Sequence, residues 1–525
     1  MSLRDRIAEL ERRRAAIRQM GGEDKIRKQH ERGKLTARER LARLFDRAPS
    51  GEPDLFEVGI HGTQMGYFDP KDKPPADGVV CAYGKVDGRM VCAAAYDFTT
   101  KGGSIGMTGE VKVTRLRELA LRSRVPMVWF IDSAGARIDP RGGASSDLIS
   151  SFAGTGHLFR EQVVMSGVVP LVAAMVGPGA AGTAYIPGLA DFVPMIKDIG
   201  SMALAGPPLV KAATGQEIAE QDLGGSKVHC EKSGVGDLEV ADDDACIAAI
   251  REYLSYLPSS CGDRPPILPC DDPIDRADDG LLDVVPDSNR ASYDMYEVVR
   301  RVVDHGRILD LKPRWGRAII TCFARIGGRP VGVVASNPRH LGGILTNDSA
   351  DKAAHFMQIC DAFNVPLVFL MDVPGFMVGS KVEHEGIIRH GAKMLHVMAS
   401  ATVPKLTVVV RKGYGAGYYV MCGRAYEPDL LVAWPNAEIS VMGAEGMVGI
   451  AGPKLFGGIE PPPEVKAQVT AAIQQHIDIY KSAGWGHLDD VIDPRETRRV
   501  LARALELSWN KVVERPARKR GIMPV

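Results

Sequence analysis

The chain has 525 residues, 65 lysines and arginines against 65 aspartates and glutamates, and 45% apolar residues. That length holds two to four ordinary cores, and the balanced charge argues against a nucleic acid as main partner. Nine scattered cysteines with no C-x-x-C pair suggest neither a disulfide framework nor a zinc ribbon, and the charged start lacks the apolar core of a signal peptide, so a cytoplasmic protein is expected.

At the N-terminus Leu3, Ile7, Leu10 and Ile17 form one apolar stripe, and LTARERLARLFD opens with a capping box at Thr36 and Glu39. This reads as a pair of docking helices with a solvated basic face. Next, DGRMVCAAAYDF precedes the helical VKVTRLRELALRS (111–123), which is followed by the β-rich runs VPMVWFID (125–132) and VPLVAAMV (169–176). The uncharged run from Gln162 to Ala190 is long enough to span a membrane, but its glycines and prolines break any single helix, so it reads as buried strand plus loop and no span is expected. It contains GPGAAG, Gly177 to Gly182, which matches the G-x-G-x-x-G of a dinucleotide-binding turn.

Between Pro258 and Gly280 the chain is rich in proline and aspartate and has no period, which marks a connector between an N-terminal domain, 1–265, and a C-terminal domain, 281–525. The second half repeats the first. GGRPVGVVASNPRHLGGI precedes DKAAHFMQICDAFNVPLVFLMDVPGF, and Gly88/Gly328, Gly103/Gly343, Pro126/Pro366, Asp132/Asp372 and Gly135/Gly375 are each 240 residues apart. The register then slips, and Ala181-Gly182 is expected to fall on Ala416-Gly417, 235 residues on. A nucleotide fingerprint predicts no second loop at the equivalent place and expects an acidic residue about 20 positions further, where only Asp198 stands; the dinucleotide reading is set aside. Alternating strands and helices in both halves make an α/β protein with mainly parallel strands.

Glycine and alanine between a strand end and a helix leave backbone N–H groups unpaired at the positive end of the helix. Where negative charge develops on a carbonyl oxygen such a pair is an oxyanion hole, each donor worth on the order of 3–4 kcal/mol in the barrier. The loops DSAGAR (132–137) and DVPGF (372–376) could supply further donors. No G-x-S-x-G, P-loop or H-E-x-x-H is present, and His384, Glu385 and His390 are wrongly spaced for a metal on one helical face. Two such holes without nucleophile, metal or base suggest two carbonyl compounds exchanging a group.

GKLTARERL at Gly33, GARI at Gly135, GPPLVKAATG at Gly206, LGGSKVH at Leu223, DVPGF at Asp372, HGAKML at His390, YGAG at Tyr414 and WPNAEISVMGAEG at Trp434 carry a resemblance that runs from about Gly33 to the end. The chain resembles the carboxyltransferase β subunit of biotin-dependent acyl-CoA carboxylases of the propionyl-CoA and methylcrotonyl-CoA type. The resemblance implies two tandem crotonase-like (ββα superhelix) domains and a homo-hexamer, a dimer of trimers, with active sites between the N-domain of one chain and the C-domain of another. It implies an acyl-CoA substrate, biotin carried by a biotin carboxylase/biotin carrier α subunit, and no metal in this chain.

Ala181 and Gly182 would hold the thioester oxygen and Ala416 and Gly417 the ureido oxygen of biotin, with Gly135, Ala136, Gly375, Phe376 and Tyr419 binding substrate. Carboxybiotin would release CO2, its freed ring nitrogen would take the α-proton, and the enolate would capture the CO2. Two departures stand out: the family's C-A-G-G is here Gly179-Ala180-Ala181-Gly182, and the usual Tyr-Asp is Tyr418-Tyr419. The glycines at 413, 415 and 417 offer the Tyr419 ring room to lie inward as the wall of a short acyl pocket. Two other readings are a decarboxylase subunit of a sodium-pumping complex, which resembles the same family, and an inactive scaffold, disfavoured by the retained donors.

Overall fold

The computed structural model describes residues 2–63, 73–137, 156–455, 462–517, 519 and 521–525. The chain divides into two compact units, Met1–Asp263 and Arg264–Val525. Among the described residues no helix is long and apolar enough to cross a membrane.

The first unit is built on one eight-stranded sheet: β1 (Leu55–Val58), β2 (Val79–Val86), β3 (Arg89–Tyr96), β4 (Met127–Ser133), β5 (Leu171–Ala180), β6 (Pro194–Ile196), β7 (Ser201–Ala203) and β8 (Leu238–Val240). The order is β1-β2-β3-β4-β5-β6-β8, with β7 added at the end of β5. The hairpin β2–β3 turns on Asp87-Gly88, both at positive φ, the two-residue turn whose twist matches that of its strands. From β3 onward the pairing is parallel. Every residue of β4 is buried, as expected of a strand covered on both faces.

The second unit repeats this with β9 (Ile308–Leu311), β10 (Ile319–Ile326), β11 (Arg329–Ser336), β12 (Leu367–Val373), β13 (Lys405–Tyr414), β14 (Leu430–Ala433), β15 (Glu438–Ser440) and β16 (Asp490–Val491), in the order β9-β10-β11-β12-β13-β14-β16 with β15 at the end of β13. Its hairpin turns on Gly327-Gly328. The 240-residue shift holds through β4 and β12, but the next strand corrects the expected correspondence. Ser133 pairs with Gly179 as Val373 pairs with Gly413, and Ala180 pairs with Ala203 as Tyr414 pairs with Ser440. The shift there is 234, so Ala181 corresponds to Gly415 and Gly182 to Ala416. Backbone conformation agrees, with φ +52 at Ala181 and +54 at Gly415. Matching the letters Ala-Gly put the loops one residue out of register.

The capping box at Thr36 and Glu39 forms, and no residue of the helix Leu3–Arg18 is buried. The solvated basic face forms, with Arg4, Arg6, Arg12, Arg13, Arg18 and Arg43 exposed, but Lys34, just before the capped helix, and Arg40 on it are buried. From Arg264 the connector lies along the second unit, where Arg498 donates to the Asp272 and Pro273 carbonyls and Leu268 N–H to Gly328 O.

At the opposite strand ends each unit uses the same pair of aspartates. Asp191 accepts from Leu171 N–H and Asp237 from Val193 N–H; Asp429 accepts from Lys405 N–H and Asp489 from Leu431 N–H. Lys511 pairs with Asp429 and Arg424 with Asp489. No lysine or arginine pairs with Asp191 among the described residues, and burial, reinforced by Asp237, pushes its carboxyl up to about 7. Between about pH 4 and pH 7 the folded chain therefore holds a proton that the unfolded chain has lost, and stability falls as pH rises through that window. Asp191→Asn keeps an acceptor for Leu171 N–H without the charge. It should match wild type near pH 4 and exceed it by about 1–2 kcal/mol at pH 8 in urea denaturation.

Candidate active site

The first loop leaves β5 at Ala180. Ala181 N–H donates to Ala203 O at 3.1 Å, and Ala181 then turns with φ +52 and ψ −120, a conformation rare outside glycine, into the helix Gly182–Gly188. Ala181 thus supplies the turn, and its own N–H is already engaged. As the first helical residues, Gly182 and Thr183 have no acceptor for their N–H groups within the helix. Among the described residues a Cβ at Gly182 would meet only the Phe159 ring, at 3.4 Å. Phe159 packs edge-on against Tyr185, which is half exposed.

The strand that receives Ala181, β7, is held by LGGSKVH. Gly225 bridges Ser201, a Cβ at Gly224 would land 2.0 Å from Met202 O, and His229 Nε2 lies 2.8 Å from that same carbonyl. Burial lowers the His229 pKa; the neutral ring donates from Nε2 to the carbonyl and accepts at Nδ1 from the Ser233 hydroxyl. The motif is a clasp on the strand beneath the loop.

Gly135, at φ +89, lies so close to the first loop that a Cβ would come 2.7 Å from Ala180 O; its N–H donates to Ser133 Oγ. Ala136 bridges Ile105, and the Arg137 guanidinium pairs with Asp77 and donates to Ser104 O. Ile138, the last residue of GARI, lies outside the described residues.

The second loop leaves β13 at Tyr414 and enters the helix Gly415–Val420, whose second and third residues, Ala416 and Gly417, have no intrahelical acceptor for their N–H groups. Under the corrected register they correspond to Gly182 and Thr183. A Cβ at Gly417 would meet the Val373 methyls at 2.8 and 3.0 Å and the Gly375 Cα at 3.2 Å. Phe376 bridges Leu345, and its ring fills the space that Gly391 of HGAKML leaves open, while His390 and Lys393 of that motif both bind Asp351. Each unit therefore brings its own two loops together, Gly135 against Ala180 and Gly375 against Gly417.

Tyr419 departs from the inward position expected of it. Tyr418 occupies the room at Gly413 and Gly423, and Tyr419 is half exposed, its ring about one ring-width from Tyr418 and Tyr426 at 6.1 and 6.0 Å between centroids.

The sequence reading also missed buried charges beneath the loops. Asp132 receives Lys34 Nζ at 2.6 Å, Gln29 Nε2 at 2.7 Å and Arg40 Nη1 at 3.2 Å, and Asp372 receives Arg411 at 3.0 Å. Two buried ammonium groups gather carbonyls at the start of the hairpin: Lys112 binds Ala76 O and Val79 O, and Lys352 binds Lys312 O, Trp315 O and Ile319 O. Burial pulls Lys352 down to about 8. Lys112 and Lys352 are 240 apart, so the repeat itself carried that signal. No group of three or more His, Cys, Asp or Glu could hold a metal ion among the described residues.

The family model described as carboxyl transferase domain matches residues 28–523. The chain belongs to that family. It is 38% identical over 524 residues to the methylmalonyl-CoA decarboxylase subunit alpha of Veillonella parvula and 39% identical over 524 residues to the propionyl-CoA carboxylase beta chain of Roseobacter denitrificans, all of each chain being covered. Its fold matches a crystal structure of transcarboxylase 12S, described as a hexamer assembly with methylmalonyl-coenzyme A and methylmalonic acid bound, with TM-score 0.93, 40% identity, and 100% of this chain and 99% of the other covered. The chain is thus a carboxyltransferase of the biotin-dependent acyl-CoA carboxylase family, with the crotonase-like fold of its relatives.

In this carboxyl transferase domain the two loop glycines differ in what surrounds them. Gly417→Ala should cost about 1–3 kcal/mol in urea denaturation, because its methyl overlaps Val373 and Gly375. Gly182→Ala should stay within about 0.5 kcal/mol of wild type, since among the described residues only the Phe159 ring is near.

Proposed function

We propose that the chain is the carboxyltransferase subunit of an acyl-CoA carboxylase, moving a carboxyl group from biotin on a partner's carrier domain to an acyl-CoA. The observation that carries this is the pair of glycine loops, at corresponding strand ends of two like sheets, each ending in a helix start whose first N–H groups lack intrahelical acceptors. Neutral, rigid backbone donors suit an oxygen on which negative charge develops.

In the first loop Ala181 turns the backbone so that Gly182, with Thr183, offers N–H groups to the thioester oxygen of the acyl-CoA. In the second, Ala416 and Gly417 offer theirs to the ureido oxygen of biotin, a neutral acceptor that fits a loop walled by glycine and tyrosine. The carboxylated ring supplies the carboxyl group when bound. Gly135 and Ala136 border the first loop and Gly375 and Phe376 the second, and their small or flat surfaces let a planar group approach. Neither loop carries a side-chain base, so proton acceptance is not expected from this chain. We place it in the cytoplasm as a homo-hexameric core, a dimer of trimers, working with a biotin carboxylase/biotin carrier α subunit, in keeping with the hexamer described for transcarboxylase 12S.

The likeness to a methylmalonyl-CoA decarboxylase subunit over the whole chain supports a second reading, in which the same transfer runs towards biotin within a sodium-pumping complex. Reconstitution with a biotin carboxylase subunit separates the two. ATP-dependent carboxylation of propionyl-CoA would favour the first, and transfer that proceeds only from methylmalonyl-CoA to biotin the second.

The loop assignment is tested by removing one donor from each loop. Gly182→Pro and Ala416→Pro place proline in a first helical turn, where its missing N–H costs the helix nothing; proline at Gly417 is avoided because Val373 is too close. Each variant, once shown by circular dichroism to be folded, should lose about a hundredfold in free-biotin-dependent decarboxylation of methylmalonyl-CoA. Rates near wild type in both would remove the oxyanion role.

Tyr419, half exposed beside the second loop, is the residue proposed to bound the acyl chain. Tyr419→Ala should raise kcat/KM for hexanoyl-CoA relative to propionyl-CoA about tenfold, the worth of a few methylenes gaining room. An unchanged ratio would show that this ring does not set chain length.

A further inference from the structure

WPNAEISVMG contributes one residue with an unusual setting. Glu438, the first residue of β15, is buried, at 8% exposure, and no lysine or arginine pairs with it among the described residues. Its carboxylate instead collects three neutral donors: the Tyr414 hydroxyl, Asn289 Nδ2 and Gln474 Nε2. A buried carboxylate without a cation is costly unless its lone pairs are filled, and this one is filled from three separate segments.

One of those donors stands at the mouth of the second loop. Tyr414 is the last residue of β13, immediately before Gly415, and its buried ring reaches to the neighbouring strand to meet Glu438; burial and that carboxylate hold its phenol well above the usual range, so it stays a hydrogen-bond donor. Gly415 is pinned on the same side, where a Cβ would come 3.0 Å from Val441 O. Asn289, the second donor, also receives Lys412 Nζ on its carbonyl, so Glu438 ties together β13, β15 and the segment leading into the unit. The corresponding positions of the first unit, Ala180 and Ser201, have no such tie: Ala180 has no polar side chain, and Ser201 donates to Glu220.

We propose that Glu438 is a positioning residue for the second loop, acting through Tyr414 to fix the direction of the Ala416 and Gly417 N–H groups. The tie sets where these donors point, and so governs the half of the reaction that this loop serves, which rests on the reading above that the loop holds biotin. Tyr414→Phe deletes only the hydroxyl, and Glu438→Gln keeps the shape while removing the charge.

The full-length assembled protein would be assayed with free biotin and malonyl-CoA or methylmalonyl-CoA, whichever the wild type decarboxylates, and amide hydrogen exchange would be followed in peptides covering 414–420 and 177–183. Both variants should lose about tenfold in kcat/KM for biotin with KM for the acyl-CoA unchanged, the double variant should be no worse than the weaker single, and exchange should quicken in 414–420 but not in 177–183. Unchanged exchange in 414–420 together with unchanged kinetics would overturn the proposal. Faster exchange with the loss falling on KM for the acyl-CoA would leave the positioning role standing and remove biotin from this loop.

Discussion

In each unit a carboxylate sealed from water stands at the end of the central strand, and a cation has to reach it. Asp132 and Asp372 are fully buried. Leaving such a charge unpaired costs about 3–5 kcal/mol, a large share of the stability of an ordinary domain. The strand-end loops start next to these residues: Gly135 and Gly375 are each three positions beyond the aspartate, and Gly103 and Gly343 pack onto the aspartate carbonyls, where a Cβ would come within 2.2 and 2.8 Å. Whatever fixes the aspartate therefore fixes the loops. Donors on a loop that drifts by about 1 Å lose most of their worth in a transition state.

The two units meet this demand differently, and the difference explains a motif far from either loop. In the second unit the cations come from β13 itself: Arg411 at 3.0 Å, lying over the Tyr293 ring and donating to the Ser288 and Ala291 carbonyls, and Lys412 more distantly at 3.8 Å. The position that corresponds to Arg411 in the first unit is Gly177, where even a Cβ would fall 2.0 Å from Asp132 Oδ1. The cations come instead from outside the repeat, as Lys34 and Arg40 of GKLTARERL, with Arg40 bound also to Asp243 and to Val176 O. The lead-in segment is thus part of the first unit's site. Removing it would strip the counter-charge from beneath the first loop.

Much of this was open to a sequence reading and some was not, for physical reasons. Strand ends marked by proline, aspartate and glycine are punctuated by backbone geometry, so the mainly parallel α/β pattern of both halves and the placing of the four loops at strand ends followed from the repeat. Register within a loop is set by hydrogen-bond ladders, and letters do not report it; hence Ala181 was matched to Ala416 when the ladders, which align Ala180 with Tyr414, make it the counterpart of Gly415. That Lys34 and Arg40 leave the solvated basic face was not legible, because basic residues near a capped helix usually face solvent; only a knowledge of which carboxylate is buried singles them out. The orientation of Tyr419 was out of reach because two adjacent tyrosines compete for one space beside Gly413, and packing gave it to Tyr418.

The loops themselves contain almost no side-chain chemistry, so two nearly identical scaffolds must owe any difference in what they hold to their surroundings. Tyr185 and Tyr419 correspond under the 234-residue shift and are both about half exposed, at 51% and 49%. Around them the units diverge. In the first, the Phe159 ring stands just beyond Gly182, and among the described residues nothing else presses on that glycine, which leaves a ligand room to approach its donor. In the second, Gly417 is pressed against Val373 and Gly375, and the tyrosines at 414, 418 and 419 surround the loop, one of them tied to Glu438. An open donor suits a long, variable acyl thioester, whose position can be set by contacts along its length. A braced donor suits a small ring presented on a tether, which brings few contacts of its own and so depends on the loop to be already in place.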